Sequence, residues 1–141
     1  MECTVRWAGE ARFVASTGSG HEVPMEGGAG ALGGYNQFPR PMELILAGAG
    51  GCTAYDVVLF LKRDNYVVEG VEVVLDAQRA ETEPKVFTRI DYHYVVRGRD
   101  LDPDVVENVI KLSAEKYSSA TAMLGHTAQI NIGFEIVDTA G

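Results

Sequence analysis

Apolar and polar positions alternate from the start of the chain. Cys3, Val5 and Trp7 alternate with Thr4 and Arg6, and beyond Gly9 the residues Ala11, Phe13 and Ala15 repeat the period before Gly18-Ser19-Gly20. A period of two marks a strand, so a hairpin is predicted, with His21–Met25 as a short third strand. Glu26 to Pro39 carries five glycines and no period. It reads as a loop near the upper length for a structureless connection in a compact domain, and such loops tend to serve function.

The pattern changes at Pro39–Tyr66. From Leu44 to Leu61 the chain is apolar except for Thr53 and Asp56, and apolar residues fall on every helical face. A helix that is hydrophobic all round belongs in a core or a membrane. Asp56 interrupts the run, which falls short of the ~20 uninterrupted apolar residues that span a bilayer. A buried central helix is therefore expected, started by Pro39 and Pro41, whose missing N–H groups are not needed there. Gly48, Gly50 and Gly51 each lower helix stability by ~1 kcal/mol relative to alanine. They leave two alternatives: a kinked helix, or one helix ending and another beginning at Cys52.

Val71, Val73 and Leu75 then form one strand, Glu81–Pro84 a turn, and Ile90, Tyr92, Tyr94 and Val96 one face of the next strand. These two strands are expected to pair as a hairpin. Asp102, Pro103 and Asp104 are the cap, first residue and acidic first turn of a second helix. Its apolar stripe is Val105, Val106, Val109, Ile110 and Leu112, and helical propensity continues through Tyr117, with a short further turn to Met123. A last strand alternates from Thr127 through Ile136. The order β-β-(β)-α-β-β-α-β, with hairpins in place of repeated βα units, predicts an α+β protein with an antiparallel sheet, as one domain over residues 1–141. The first helix is too apolar for one sheet to cover, and dimerisation would hide its remaining faces.

Composition narrows the function classes. The net charge of −8 argues against nucleic acid, which needs a concentrated Lys/Arg surface. No basic segment followed by an apolar one opens the chain, so no signal peptide is expected, nor a membrane partner. Two cysteines, Cys3 and Cys52, do not make a disulfide framework. A cytoplasmic protein with free thiols is the default.

Cys52 is the main candidate for chemistry. Buried cysteine is often an inert small hydrophobe, but the glycines before Cys52 and a possible helix start there favour a reactive thiolate. Glu43 is a charge entering an apolar segment, and the helix dipole alone would explain it. It lies nine residues before Cys52, on the opposite face of a straight helix. The two would cooperate only across a bend or across subunits. Asp56, one turn beyond Cys52, would raise the thiol pKa and fits a structural partner better. A thiolate in an apolar pocket needs a counter-charge, for which Arg6, Arg12 and Arg40 are nearest in sequence. His21, His93 and His126 are scattered, with no metal spacing. No cofactor motif is present: Gly-Ala-Gly-Gly-Cys lacks the Lys-Ser/Thr ending of a phosphate loop, and Gly-x-Ser-x-Gly is absent.

Pro41-Met-Glu-Leu-Ile-Leu-Ala-Gly-Ala-Gly-Gly-Cys52-Thr-Ala-Tyr-Asp56-Val-Val resembles the central-helix motif of the OsmC/Ohr family, in its OsmC-like branch. Arg89–Gly98 and Leu112–Ser118 support it, and order and spacing match over nearly the whole chain. The resemblance implies an OsmC-like fold, an intertwined homodimer whose antiparallel sheets wrap around buried central helices, with two active sites at the subunit interface. Well-studied members are thiol peroxidases acting on organic hydroperoxides. Their low-pKa cysteine becomes a sulfenic acid, an arginine held by a glutamate steadies the thiolate, and a second cysteine resolves the sulfenate.

By this resemblance Cys52 matches the attacking cysteine. Glu43 matches the glutamate, which peroxidase members often carry one residue earlier, where Met42 stands here. Arg12 matches the arginine by position in the first hairpin. The resolving cysteine falls at Ser118, and serine forms no disulfide. The expected protein is thus a cytoplasmic one-cysteine peroxidase served by an external thiol reductant, with Cys3 as an alternative resolver. The rival is a non-catalytic dimer binding a small apolar or thiol-reactive ligand, with Cys52 as pocket wall.

Overall fold

The computed structural model describes residues 1–28 and 30–140. Two compact units form, Met1–Ala47 and Gly48–Gly141.

In the first unit β1 (Cys3–Trp7), β2 (Arg12–Thr17) and β3 (Glu22–Glu26) make an antiparallel meander in the order β1-β2-β3. The predicted hairpin and third strand are all present. β1 is exposed along its whole length, including Val5 and Trp7. Beyond β3 the glycine-rich loop folds back on its own beginning. A Cβ on Gly34 would stand 2.6 Å from the Gly27 carbonyl oxygen, a separation that only glycine permits. The loop ends at α1 (Pro41–Arg63), where a Glu43 carboxylate oxygen accepts the Arg40 N–H at 2.8 Å. That bond satisfies one of the donors a helix start leaves open.

α1 is a single helix from Pro41 to Arg63. The glycines neither break nor start a helix, so Cys52 lies mid-helix and gains nothing from a helix N-terminus. Tertiary fit accounts for one of the three glycines. Gly50 is buried, and a Cβ on it would meet Leu75 Cδ1 at 2.9 Å, whereas Gly48 and Gly51 face open space. The single chain covers one face of α1, in line with the expectation that one sheet would not cover so apolar a helix. Ala49, Gly50, Thr53, Val57 and Leu61 form one buried stripe, following the i, i+3, i+4 spacing of one face. Tyr55 and Cys52 are exposed. By length and composition α1 is also long and apolar enough to cross a bilayer, contrary to the count of uninterrupted apolar residues.

In the second unit β4 (Val67–Arg79) and β5 (Phe87–Arg99) pair antiparallel, as the sequence predicts. β6 (Gln129–Asp138) lies on the other side of β5 but runs parallel to it. The second sheet is therefore mixed, not antiparallel throughout. Strand alternation carries no direction. Direction is set by the connection, and a parallel neighbour needs a long crossover. Here that crossover is α2 (Pro103–Leu112), a π-helical turn (Ser113–Tyr117) and α3 (Ser119–Leu124). Asp102 caps α2 by accepting the Asp104 N–H at 2.9 Å. The buried apolar set comprises Ile90, Tyr92, Tyr94 and Val96 of β5, Val57 and Leu61 of α1, and Val106, Val109 and Ile110 of α2.

Candidate active site

Cys52 is a free, exposed thiol on the outward side of α1. The residue after it, Thr53, points inward and is fully buried. Its hydroxyl bonds the Tyr94 hydroxyl at 2.7 Å and the Ser113 hydroxyl at 2.8 Å, and Ser113 donates to Asp56 Oδ2 at 2.8 Å. This chain pins α1 to β5 and to the π-helical turn. It also gives Asp56 its partner, a serine hydroxyl. Burial pushes the Tyr94 phenol up to about 12, against the opposing bond from Thr53.

A second hydroxyl chain lies beside it. The Tyr92 hydroxyl meets Thr121 Oγ1 at 2.9 Å, and Ser118 Oγ donates to the same Thr121 oxygen at 2.8 Å. Burial raises the Tyr92 pKa, the Thr121 bond opposes this, and ionisation of Cys52 would raise it further. Ser118, the position the resemblance assigns to a resolving cysteine, is 1% exposed. It caps α3, accepting the Thr121 N–H at 3.4 Å. The π-helical turn delivers it there, since the Ser118 N–H bonds the Ser113 carbonyl at 2.7 Å.

Arg12 and Glu43 belong to the first unit and Cys52 to the second. Of the three arginines, two are engaged. Arg6 bonds Ser16 and Glu22 on the exposed face of the meander, and Arg40 Nη1 donates to the Gly27 carbonyl at 3.2 Å. The Arg12 Nε–H is buried and has no hydrogen-bond partner among the described residues. Glu43 is exposed and committed to the Arg40 N–H. Cys3 is exposed and free on β1. His93 lies on the polar face of β5 with Glu135 at 3.1 Å. Among the described residues no three His, Cys, Asp or Glu side chains gather as a metal site.

Glu26 was not singled out in the sequence. It is 1% exposed. One carboxylate oxygen accepts the Tyr35 N–H at 3.0 Å and the other the Gln37 N–H at 2.7 Å. Its pKa is lowered, chiefly by the Tyr35 bond, with the Gln37 and Phe38 amides and the Arg12 charge adding to this and burial opposing it. The available signal was its register, since the hairpin places it opposite Arg12. Thr53, Tyr92, Tyr94, Ser113 and Thr121 were also missed as a group, because hydroxyls in apolar runs reveal their partners only after folding. Among the described residues, one groove lies at Met1–Cys3 and Thr17–Ser19 and another between α2 and β6. Cys52 lines neither.

Comparison with known proteins gives this geometry a context. The family described as OsmC-like protein matches residues 34–133, a span that includes Glu43, Cys52 and Ser118. The chain is 39% identical over 137 residues to the protein YhfA of Escherichia coli K12, covering 97% of this chain and 98% of YhfA. Its fold is similar to the crystal structure of a hypothetical protein from Aquifex aeolicus, with a TM-score of 0.84 and 29% identity over 96% of this chain and 95% of that one. The fold likeness extends to the organic hydroperoxide resistance protein OhrB of Bacillus subtilis, with a TM-score of 0.58 and 20% identity over 96% of each chain. With its α+β architecture and its central helix carrying Cys52, the chain belongs to the OsmC-like family.

Proposed function

We propose that the protein is a thiol peroxidase that reduces organic hydroperoxides through Cys52, working with a single cysteine. One observation carries the reading: Cys52 is a free, exposed thiol on the family's central helix, while position 118 holds a buried serine already engaged as a helix cap. The Cys52 thiolate is the nucleophile. It attacks the terminal, hydrogen-bearing oxygen of ROOH, the O–O bond breaks, and RO⁻ takes a proton and leaves as the alcohol. The sulfur, oxidised by two electrons, becomes a sulfenic acid. An external thiol then displaces water to give a mixed disulfide, and a second restores Cys52 and leaves as the disulfide of the two. Arg12 is the arginine that steadies the thiolate, a role supported by its unspent Nε–H and by the engagement of Arg6 and Arg40 elsewhere.

The protein would act in the cytoplasm, where reducing thiols are supplied, and as a homodimer. Exposed Val5, Trp7, Ile45 and Tyr55 support a second copy as the cover of β1 and the outward side of α1. A non-catalytic dimer holding a small apolar or thiol-reactive ligand is the second reading, favoured by Glu43, whose carboxylate serves the Arg40 N–H.

Mass spectrometry of peroxide-treated protein with a sulfenic-acid trap tests the one-cysteine assignment. Trapped sulfenic acid at Cys52, with no protein disulfide, is expected. A Cys3–Cys52 disulfide would remove the one-cysteine version, and an unmodified Cys52 would favour the ligand-binding dimer.

A further inference from the structure

Glu26 is a carboxylate almost wholly removed from solvent. Burying such a charge is expensive unless it is hydrogen-bonded and paired. The hydrogen bonds are supplied within the first unit. Its two oxygens take the Tyr35 and Gln37 amides, and its own N–H donates to the Pro39 carbonyl at 2.9 Å. The Gly27 N–H in turn bonds the Ala11 carbonyl at 2.9 Å. The counter-charge is Arg12, directly opposite Glu26 in the β2–β3 register. Residues so placed have Cβ atoms about 4.5–5.5 Å apart on one face of the sheet.

Glu43 offers no such environment. It is exposed and already engaged by the Arg40 N–H, and solvated carboxylates hold cations weakly. We propose that Glu26, and not Glu43, is the positioning residue for Arg12, holding its guanidinium by charge across the β2–β3 pair while fastening the glycine-rich loop. The Arg12 Nε–H itself has no hydrogen-bond partner among the described residues, so it stays available as a donor. The inference rests on the reading of Arg12 as the arginine that steadies the Cys52 thiolate.

The test follows the Arg12 Nε–H resonance by NMR in the full chain. Glu26→Gln is expected to shift it and speed its exchange with water at least tenfold, while Glu43→Gln leaves it in place. The midpoint of Cys52 alkylation against pH should move upward in Glu26→Gln and not in Glu43→Gln, a change that simple loosening of the loop would not produce. If Glu26→Gln fails to fold, the reciprocal variants decide. Arg12→Gln should raise the pH at which the Glu26 carboxyl titrates, and Arg12→Lys should restore it.

A resonance moved by Glu43→Gln and untouched by Glu26→Gln would overturn the proposal, as would a Glu26 titration indifferent to Arg12→Gln. Peroxide consumption by the unaltered protein is measured alongside. If it is slow while the Arg12 results hold, the peroxidase reading falls and the pairing stands. If it is fast while the Arg12 results fail, the pairing alone falls.

Discussion

The two sheets are stabilised in different ways. The second is an apolar core with a few hydroxyls inside it: Ile90, Tyr92, Tyr94 and Val96 are buried, and Thr53, Ser113, Ser118 and Thr121 are buried and bonded to one another or to the tyrosines. The first has almost no apolar interior. Among the described residues its buried ones are Ala11, Ala15 and Glu26, and the loop that follows it is fastened by two amides converging on the Glu26 carboxylate. Satisfied hydroxyls in an apolar core are sensitive to loss of volume or of a partner. A meander closed around a charge is sensitive to protonation. Cys52 lies in the unit where Thr53 ties the helix to β5, and Arg12 in the unit that holds the buried carboxylate.

Three changes test that contrast, in falling order of effect. Ile90→Ala removes a fully buried side chain of the second sheet and should lower stability by about 2–5 kcal/mol, read from the denaturant midpoint. A loss below about 1 kcal/mol would mean this core is far looser than its burial implies. Thr53→Val keeps the shape but takes the partner from the buried Tyr94 hydroxyl, at about 1–3 kcal/mol. Tyr94→Phe on the same background should recover part of that loss, because the orphaned hydroxyl is gone.

The third change is in pH and concerns the first unit. The folded pKa of Glu26 lies below its ordinary value of 4.5, so the unfolded chain binds the proton more readily. Its contribution to stability is present above about pH 4.5 and fades as pH falls through the lower folded value. Protection of the Tyr35 and Gln37 amides, taken relative to their intrinsic exchange at each pH, should therefore fall on acidification before that of Tyr92 and Tyr94 does. Simultaneous loss in both sheets would erase the distinction between them.

Much of the second sheet is legible in the chain, because alternation at Ile90, Tyr92, Tyr94 and Val96 encodes which face is buried. Asp102-Pro103-Asp104 likewise marks the start of α2 correctly. Three features were not legible. The direction of β6 depends on a crossover whose length no strand pattern contains. The continuity of α1 runs against its glycines, and the close approach of Leu75 to Gly50 is a tertiary contact that local propensity does not record. Glu26 reads as a solvated charge at a loop entrance, and only the fold brings the Tyr35 and Gln37 amides to it. The family was legible through the motif around Cys52, whereas the commitments of Glu43, Arg6 and Arg40 required coordinates.

The central claim is that Cys52 is a peroxidatic thiol, and single-turnover kinetics test it most directly. Reduced protein is mixed with cumene hydroperoxide or hydrogen peroxide, and loss of free thiol is followed, with Cys52→Ser as control. The account predicts rapid consumption with the organic peroxide, slower consumption with hydrogen peroxide, and none attributable to position 52 in the variant. A rate no greater than that of a free small-molecule thiol would contradict it and leave the family's fold here without peroxidase chemistry.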